Sequence, residues 1–123
     1  MLEQKEIVRY GLDDATFMIP LRIESADRMR NIITTLIYLC RNFRTNISIH
    51  ELDEESIFKS AVIPQLEQAL IPEELAMVNH VFEKTTDYTF HRTRLLNDMA
   101  IAAQTKVVVN YDSDILLPQL SYI

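Results

Sequence analysis

Short apolar runs alternate with amphipathic helical segments along the whole chain, and this alternation restricts the possible folds more than any other feature. The patterns predict strands at 16–23 (TFMIPLRI), 46–52 (NISIHEL) and 106–111 (KVVVNY). A helix of about five turns is predicted from Ser25, with apolar positions continuing to Phe43. Strands that alternate with helices imply βαβ crossovers. The predicted fold class is therefore α/β, with a mostly parallel sheet and helices on both faces.

The middle of the chain gives a mixed signal. Helical spacing over 57–70 is interrupted by Pro64, which predicts two helical pieces, and Pro72 suggests a further helix start. The segment 80–84 (HVFEK) fits either a brief strand or a helix end. Apolar spacing over 95–103 predicts the helix that precedes the last strand.

Composition excludes several classes of protein. A chain of 123 residues with 48% hydrophobic and 24% charged residues fits one globular domain. Its net charge of -6 argues against nucleic acid as a partner, because phosphate backbones are bound through surplus Lys and Arg. One cysteine, Cys40, excludes a disulfide framework and a thiolate zinc cluster. One glycine, Gly11, excludes a P-loop and a dinucleotide-binding fingerprint.

Targeting signals are missing from the sequence pattern as well. The first residues lack an apolar signal-peptide core, and no apolar run approaches the roughly 18 residues of a membrane span. We therefore expect a soluble, unexported chain in a reducing compartment, the cytoplasm.

Two aspartates follow the last predicted strand. Ligands of parallel α/β sheets bind beyond the carboxyl ends of the strands, and Asp112 and Asp114 stand at this position, spaced to face the same side. Hard cations prefer such oxygens, so the pair predicts a Mg²⁺ or Mn²⁺ site for a nucleotide diphosphate. The alternative is that the two aspartates only end a strand and begin a turn.

A second polar group lies at 90–97 (FHRTRLLN), at the start of the helix that leads into the last strand. Guanidinium groups such as those of Arg92 and Arg94 bind phosphate bidentately, and a helix start adds N–H donors. The alternative is a solvated helix start whose arginines form ordinary ion pairs.

Three motifs occur in an order that resembles a known family. They are IPLR at 19–22, FHRTRLLN at 90–97 and YDSDILLP at 111–118. The chain resembles the donor-binding half of GT-A fold nucleotide-sugar glycosyltransferases, above all the β-1,4-galactosyltransferases, and also the bacterial family 2 glycosyltransferases. The resemblance implies a Rossmann-like half of a GT-A fold, a UDP-sugar donor of galactose or N-acetylgalactosamine type, and Mn²⁺ or Mg²⁺ as cofactor.

The resemblance also implies roles for individual residues, which follow the order of the motifs. Pro20 and Arg22 would line the nucleotide pocket, and Phe90 and Arg92 would contact the base, the ribose or the diphosphate. Asp112 would face the ribose or the water shell of the metal. Asp114 would ligate the metal directly.

Family 2 enzymes add an acidic residue after the second strand that hydrogen-bonds uracil. Asp53 occupies the comparable place, with Glu51 as its substitute. A glycan or polysaccharide acceptor is the expected second partner, with peripheral membrane association through regions outside this chain as a further option. Both families place the acceptor site downstream of the metal motif, whereas this chain ends nine residues after Asp114. We therefore expect the donor-binding part of a longer enzyme, inactive by itself.

Two other functions compete with this interpretation. A phosphoacceptor receiver domain has similar length, but it needs an acidic pair after the first strand and a Lys after the last, and Asp13 and Asp14 precede the first predicted strand. A non-catalytic α/β interaction module that keeps the fold without nucleotide chemistry is the stronger alternative.

Overall fold

The computed structural model describes residues 10–86 and 92–111, which form a four-stranded sheet and its flanking helices. The strands are β1 (Tyr10–Leu21), β2 (Phe43–Asp53), β3 (Val78–Lys84) and β4 (Val107–Asn110). The helices are α1 (Ala26–Asn42), a π-helical segment (Phe58–Val62), α2 (Ile63–Ala69), α3 (Pro72–Leu75) and α4 (Arg92–Ala102).

All four strands are parallel, in the order β3-β2-β1-β4. β1 lies at the centre, where Phe17 pairs with Ile47 of β2 on one side and with Val109 of β4 on the other. The chain therefore builds the sheet outward from β1 to β3 and then returns to the opposite side of β1. This reversal between β1 and β4 is the kind of switch point near which open α/β sheets bind ligands.

Alternation along β1 divides the core between the two faces of the sheet. Phe17, Ile19 and Leu21 pack in a large cluster with α1, the π-helical segment and α2. Met18 points to the other face, where it packs with Leu95 and Met99 of α4. Helices cover both faces, which confirms the predicted fold class.

The local signals for helix boundaries are explained by the structure. Ser25 is the N-cap of α1, and its hydroxyl accepts from the Arg28 N–H at 3.2 Å. Pro64 is the second residue of α2, and the change from the π-helical segment to the α-helix falls just before it, so the two helical pieces are contiguous. The ambiguous segment 80–84 is a strand, part of β3.

Two predicted boundaries were wrong because strand pairing extends further than the local pattern suggests. Phe43, counted with the first helix, begins β2 and is fully buried. Residues 11–14, which precede the first predicted strand, belong to β1, whose pairing with β2 shifts register between Gly11 and Thr16. Across 10–86 and 92–111, no helix is both long enough and apolar enough to cross a bilayer.

Candidate functional site: a cleft at the carboxyl edge of the sheet

A cleft of about 410 Å³ opens where three neighbouring strands end. Its walls come from the segments that directly follow β1, β2 and β3, a consequence of the parallel arrangement. The lining residues are Arg22, Ile23, Glu24, Asp53, Glu54, Ile57, Thr85 and Thr86. The cleft thus combines one guanidinium group with carboxylates, hydroxyls and the side chains of two isoleucines, Ile23 and Ile57.

Arg22 and Asp53 meet in this cleft although 30 residues separate them in the sequence. The Arg22 Nε donates to the Leu52 carbonyl at 2.9 Å, so the end of β1 is tied to the end of β2. The Asp53 carbonyl accepts from the Thr85 N–H at 2.9 Å, which ties β2 to β3. The Asp53 side chain accepts from the Glu54 N–H at 2.7 Å. Two predicted nucleotide-pocket residues therefore lie on one surface; their role in binding stays a prediction.

Pro20 and Arg92, also predicted to bind the nucleotide, are not among the residues that line the cleft. Pro20 is buried within β1, opposite His50 of β2. Arg92 is the exposed first residue of α4. The helix start lies beside the end of β3, because Arg94 of the same turn contacts Glu83. Arg92 therefore sits at the same edge of the sheet as the cleft.

Arg94 forms ordinary ion pairs at the start of α4, as the alternative to phosphate binding predicted. Its two terminal nitrogens bind both oxygens of Glu83, at 3.2 and 2.7 Å, and one of them also contacts Asp98 at 3.2 Å. Hydrogen bonding from Arg94 holds the pKa of Glu83 below its usual range, and the same contact raises the pKa of Arg94. This side chain anchors α4 to β3.

The remaining predicted site residues, Phe90, Asp112 and Asp114, lie outside the described residues. Within 10–86 and 92–111, no group of three or more His, Cys, Asp or Glu side chains is arranged to hold a metal ion. Tyr111 directly precedes the aspartates, and its N–H donates to the Met18 carbonyl at 3.1 Å. Its ring also packs edge-on against Phe17, with centroids 5.5 Å apart. Pairing between β4 and β1 therefore continues up to the residue before Asp112.

Sequence reasoning missed the role of Glu51 and the contribution of β3. Glu51, the suggested substitute for Asp53, is fully buried on the α1 side of the sheet and hydrogen-bonds internally. The available signal was its place in the alternating apolar row with Ile47 and Ile49, since an acid in such a row is buried and needs partners. Thr85 and Thr86 carried no comparable signal.

Comparison of the chain with protein-family models, with curated proteins and with solved structures finds no match.

Proposed function

We propose that this chain is the donor-binding domain of a metal-dependent GT-A glycosyltransferase that transfers a sugar, of galactose or N-acetylgalactosamine type, from UDP to a glycan or polysaccharide. The observation that carries the proposal is the meeting of Arg22 and Asp53 in one cleft at the carboxyl edge of a parallel sheet. Arg22 belongs to the IPLR motif, and Asp53 is the acidic residue at the end of the second predicted strand, with 30 residues between them. Ligands of such sheets bind at this edge.

The chemistry of the cleft suits a nucleoside. Uracil and ribose present N–H and O–H donors, and the Asp53 carboxylate with the Thr85 and Thr86 hydroxyls supplies acceptors on two adjacent walls. Asp53 is half-buried, so a hydrogen bond from a uracil N–H would be only partly screened by water. The cleft carries more acid than base, which favours the nucleoside over the diphosphate as its occupant.

The diphosphate would instead be neutralised by groups that follow β4 and begin α4. Asp112 and Asp114 are hard oxygen donors suited to Mn²⁺ or Mg²⁺, which bind proteins through one or two carboxylates and complete their shell with phosphate and water. Arg92 lies at the same edge of the sheet. When bound, such a metal would supply positive charge to the departing diphosphate.

Calorimetric titration of the full chain with UDP, with and without Mn²⁺, tests the proposal. We expect binding that strengthens at least tenfold with Mn²⁺, a gain that Asp114→Asn abolishes. Asp53→Asn should weaken UDP binding about tenfold while keeping the metal dependence, because it removes one charge-assisted hydrogen bond. Asp13→Asn is the matched control, since Asp13 is an exposed acid at the opposite edge of the sheet, beside Arg44.

Absence of UDP binding under both conditions would contradict the proposal and would favour the non-catalytic interaction module. Equal loss of affinity in Asp53→Asn and Asp13→Asn would contradict the placement of the nucleoside in the cleft.

A further inference from the structure

A carboxylate is buried directly behind the cleft. Glu51 is 0% exposed, and four donors surround its two oxygens. Oε1 accepts from the Ser56 hydroxyl at 2.7 Å and from His80 Nε2 at 3.0 Å, and Oε2 accepts from the N–H groups of Ile57 and Phe58 at 3.0 and 3.1 Å. Burying a carboxylate is unfavourable unless hydrogen bonds satisfy it, and here the bonds come from two separate parts of the structure, the segment 56–58 and strand β3.

Three of these donors belong to the segment that forms one wall of the cleft. The chain leaves β2 at Asp53, turns through Glu54 and Glu55, and re-enters helical structure at Ile57 and Phe58. Asp53, Glu54 and Ile57 all line the cleft. Since Glu51 holds the Ile57 and Phe58 N–H groups from inside, it fixes the far end of this turn, while β2 fixes the near end.

The fourth donor connects the carboxylate to another wall. His80 lies on β3, and its ring packs against the Phe58 ring with centroids 4.5 Å apart. β3 ends at Lys84, and Thr85 and Thr86, which follow it directly, line the cleft. The Glu51 carboxylate therefore joins the turn after β2 to the strand that carries the third wall.

These contacts also determine what the turn can offer to a ligand. The first N–H groups of a helix bind anions readily, but those of Ile57 and Phe58 are occupied by Glu51. The Glu51 carboxylate therefore occupies the position at this helix start where an anionic ligand could bind. A ligand in the cleft would contact the Ile57 side chain instead.

We propose that Glu51 is a positioning residue for the nucleotide cleft: its buried carboxylate, with His80, holds the turn 53–57 and the end of β3 at the spacing that lets Asp53 and the two threonines contact one nucleoside. This inference rests on the proposed function for the identity of the ligand. The fixed spacing itself is a property of the free protein and is measurable without one.

The test compares Glu51→Gln with Cys40→Ala in the full chain. Cys40 is fully buried in the last turns of α1, away from the cleft, so its truncation lowers global stability without touching the turn. Amide exchange is followed by NMR in the absence of ligand. We expect Glu51→Gln to accelerate exchange at Ile57, Phe58 and Thr85 about tenfold more than at amides of β1, whereas Cys40→Ala accelerates core amides evenly.

The second measurement is UDP affinity at a temperature where each variant remains folded. Glu51→Gln should raise the Kd about tenfold, and Cys40→Ala should leave it within about twofold. Ser56→Ala, which removes the hydroxyl donor to Glu51, provides a milder variant with the same expected pattern and a smaller change in both measurements.

The outcomes separate this inference from the proposed function. The positioning role is overturned if Glu51→Gln accelerates amide exchange equally at the turn and in β1. It is also overturned if exchange accelerates at the turn while the Kd for UDP stays unchanged. A wild-type chain that binds no UDP overturns the proposed function, and the exchange pattern then decides alone whether Glu51 fixes the cleft.

Discussion

Two histidine–carboxylate pairs join β2 to β3, one on each face of the sheet, and they differ in almost everything except chemistry. On the α1 side, Glu51 of β2 accepts from His80 of β3 at 3.0 Å, with 0% and 14% of the side chains exposed. On the α4 side, the strands exchange roles: His50 of β2 contacts Glu83 of β3 at 3.3 Å, with 12% and 40% exposed. In both pairs the partners lie diagonally across the strand register.

The comparison shows that the same His–Glu contact has a different structural role when it is buried than when it is partly exposed to water. Around Glu51 the effective dielectric is low and both carboxylate oxygens accept two hydrogen bonds each. Removal of the carboxylate would therefore leave buried donors without an acceptor. Glu83 is partly solvated and has Arg94 as its main partner, so water can replace each contact. The first pair therefore fixes backbone geometry beside the cleft, whereas the second mainly holds α4 against the sheet.

The largest expected effect is loss of the buried carboxylate. Glu51→Ala should lower the free energy of unfolding by about 3–5 kcal/mol, because four donors lose their acceptor inside the core. The matched change Glu83→Ala should cost less than about 1 kcal/mol. Urea denaturation followed by circular dichroism measures both. Similar losses in the two variants would remove the distinction between the pairs.

Substitution of the histidines should lower the free energy of unfolding less than substitution of the glutamates, again with the larger loss in the buried pair. His80→Phe keeps a ring against Phe58 but removes the donor to Glu51, and it should cost about 1–2 kcal/mol, because three other donors still satisfy the carboxylate. His50→Phe should cost less, since Glu83 retains Arg94. Double-mutant cycles for each pair, again by urea denaturation, should give the larger coupling for Glu51 and His80. A larger coupling for His50 and Glu83 would reverse the interpretation.

The smallest expected effect is the response of the exposed pair to acid. Hydrogen bonding from Arg94, with a lesser contribution from His50, holds the pKa of Glu83 below its ordinary value of 4.5. A carboxyl with a depressed folded pKa stabilises the protein above the unfolded value. This small stabilisation is therefore present above about pH 4.5 and is lost as the pH falls through the folded pKa of Glu83.

An NMR titration of the Glu83 side chain checks this shift directly. Arg94→Met should return the pKa of Glu83 toward 4.5, and added salt should do so in part. Arg30→Met is the control, because Arg30 pairs with Asp27 on α1 and should leave Glu83 unchanged. Titration of Glu83 at its ordinary pKa in the wild-type chain would show that the Arg94 contact has no electrostatic consequence.

Much of the fold was predictable because its signals are local. The capping Ser25, the change of helix type before Pro64 and the alternation of 46–52 each act over a few residues, and the structure follows them. The errors at Phe43 and at 11–14 have one cause: each stretch is drawn into a strand by its neighbour across the sheet, which no local pattern records. The candidate site was predictable in part, since the resemblance pointed to Arg22 and Asp53 without showing that they share a cleft.

The sequence alone determined the α/β class, the succession of strands and helices, and the set of polar residues that follow the strands, because periodicity and capping depend on neighbours along the chain. Only the tertiary structure decided the strand order, the pairing of Arg94 with Glu83 and the burial of Glu51 behind the cleft. These depend on which segments meet across the sheet. The same residue types, His and Glu, therefore became an internal anchor on one face and a solvated ion pair on the other.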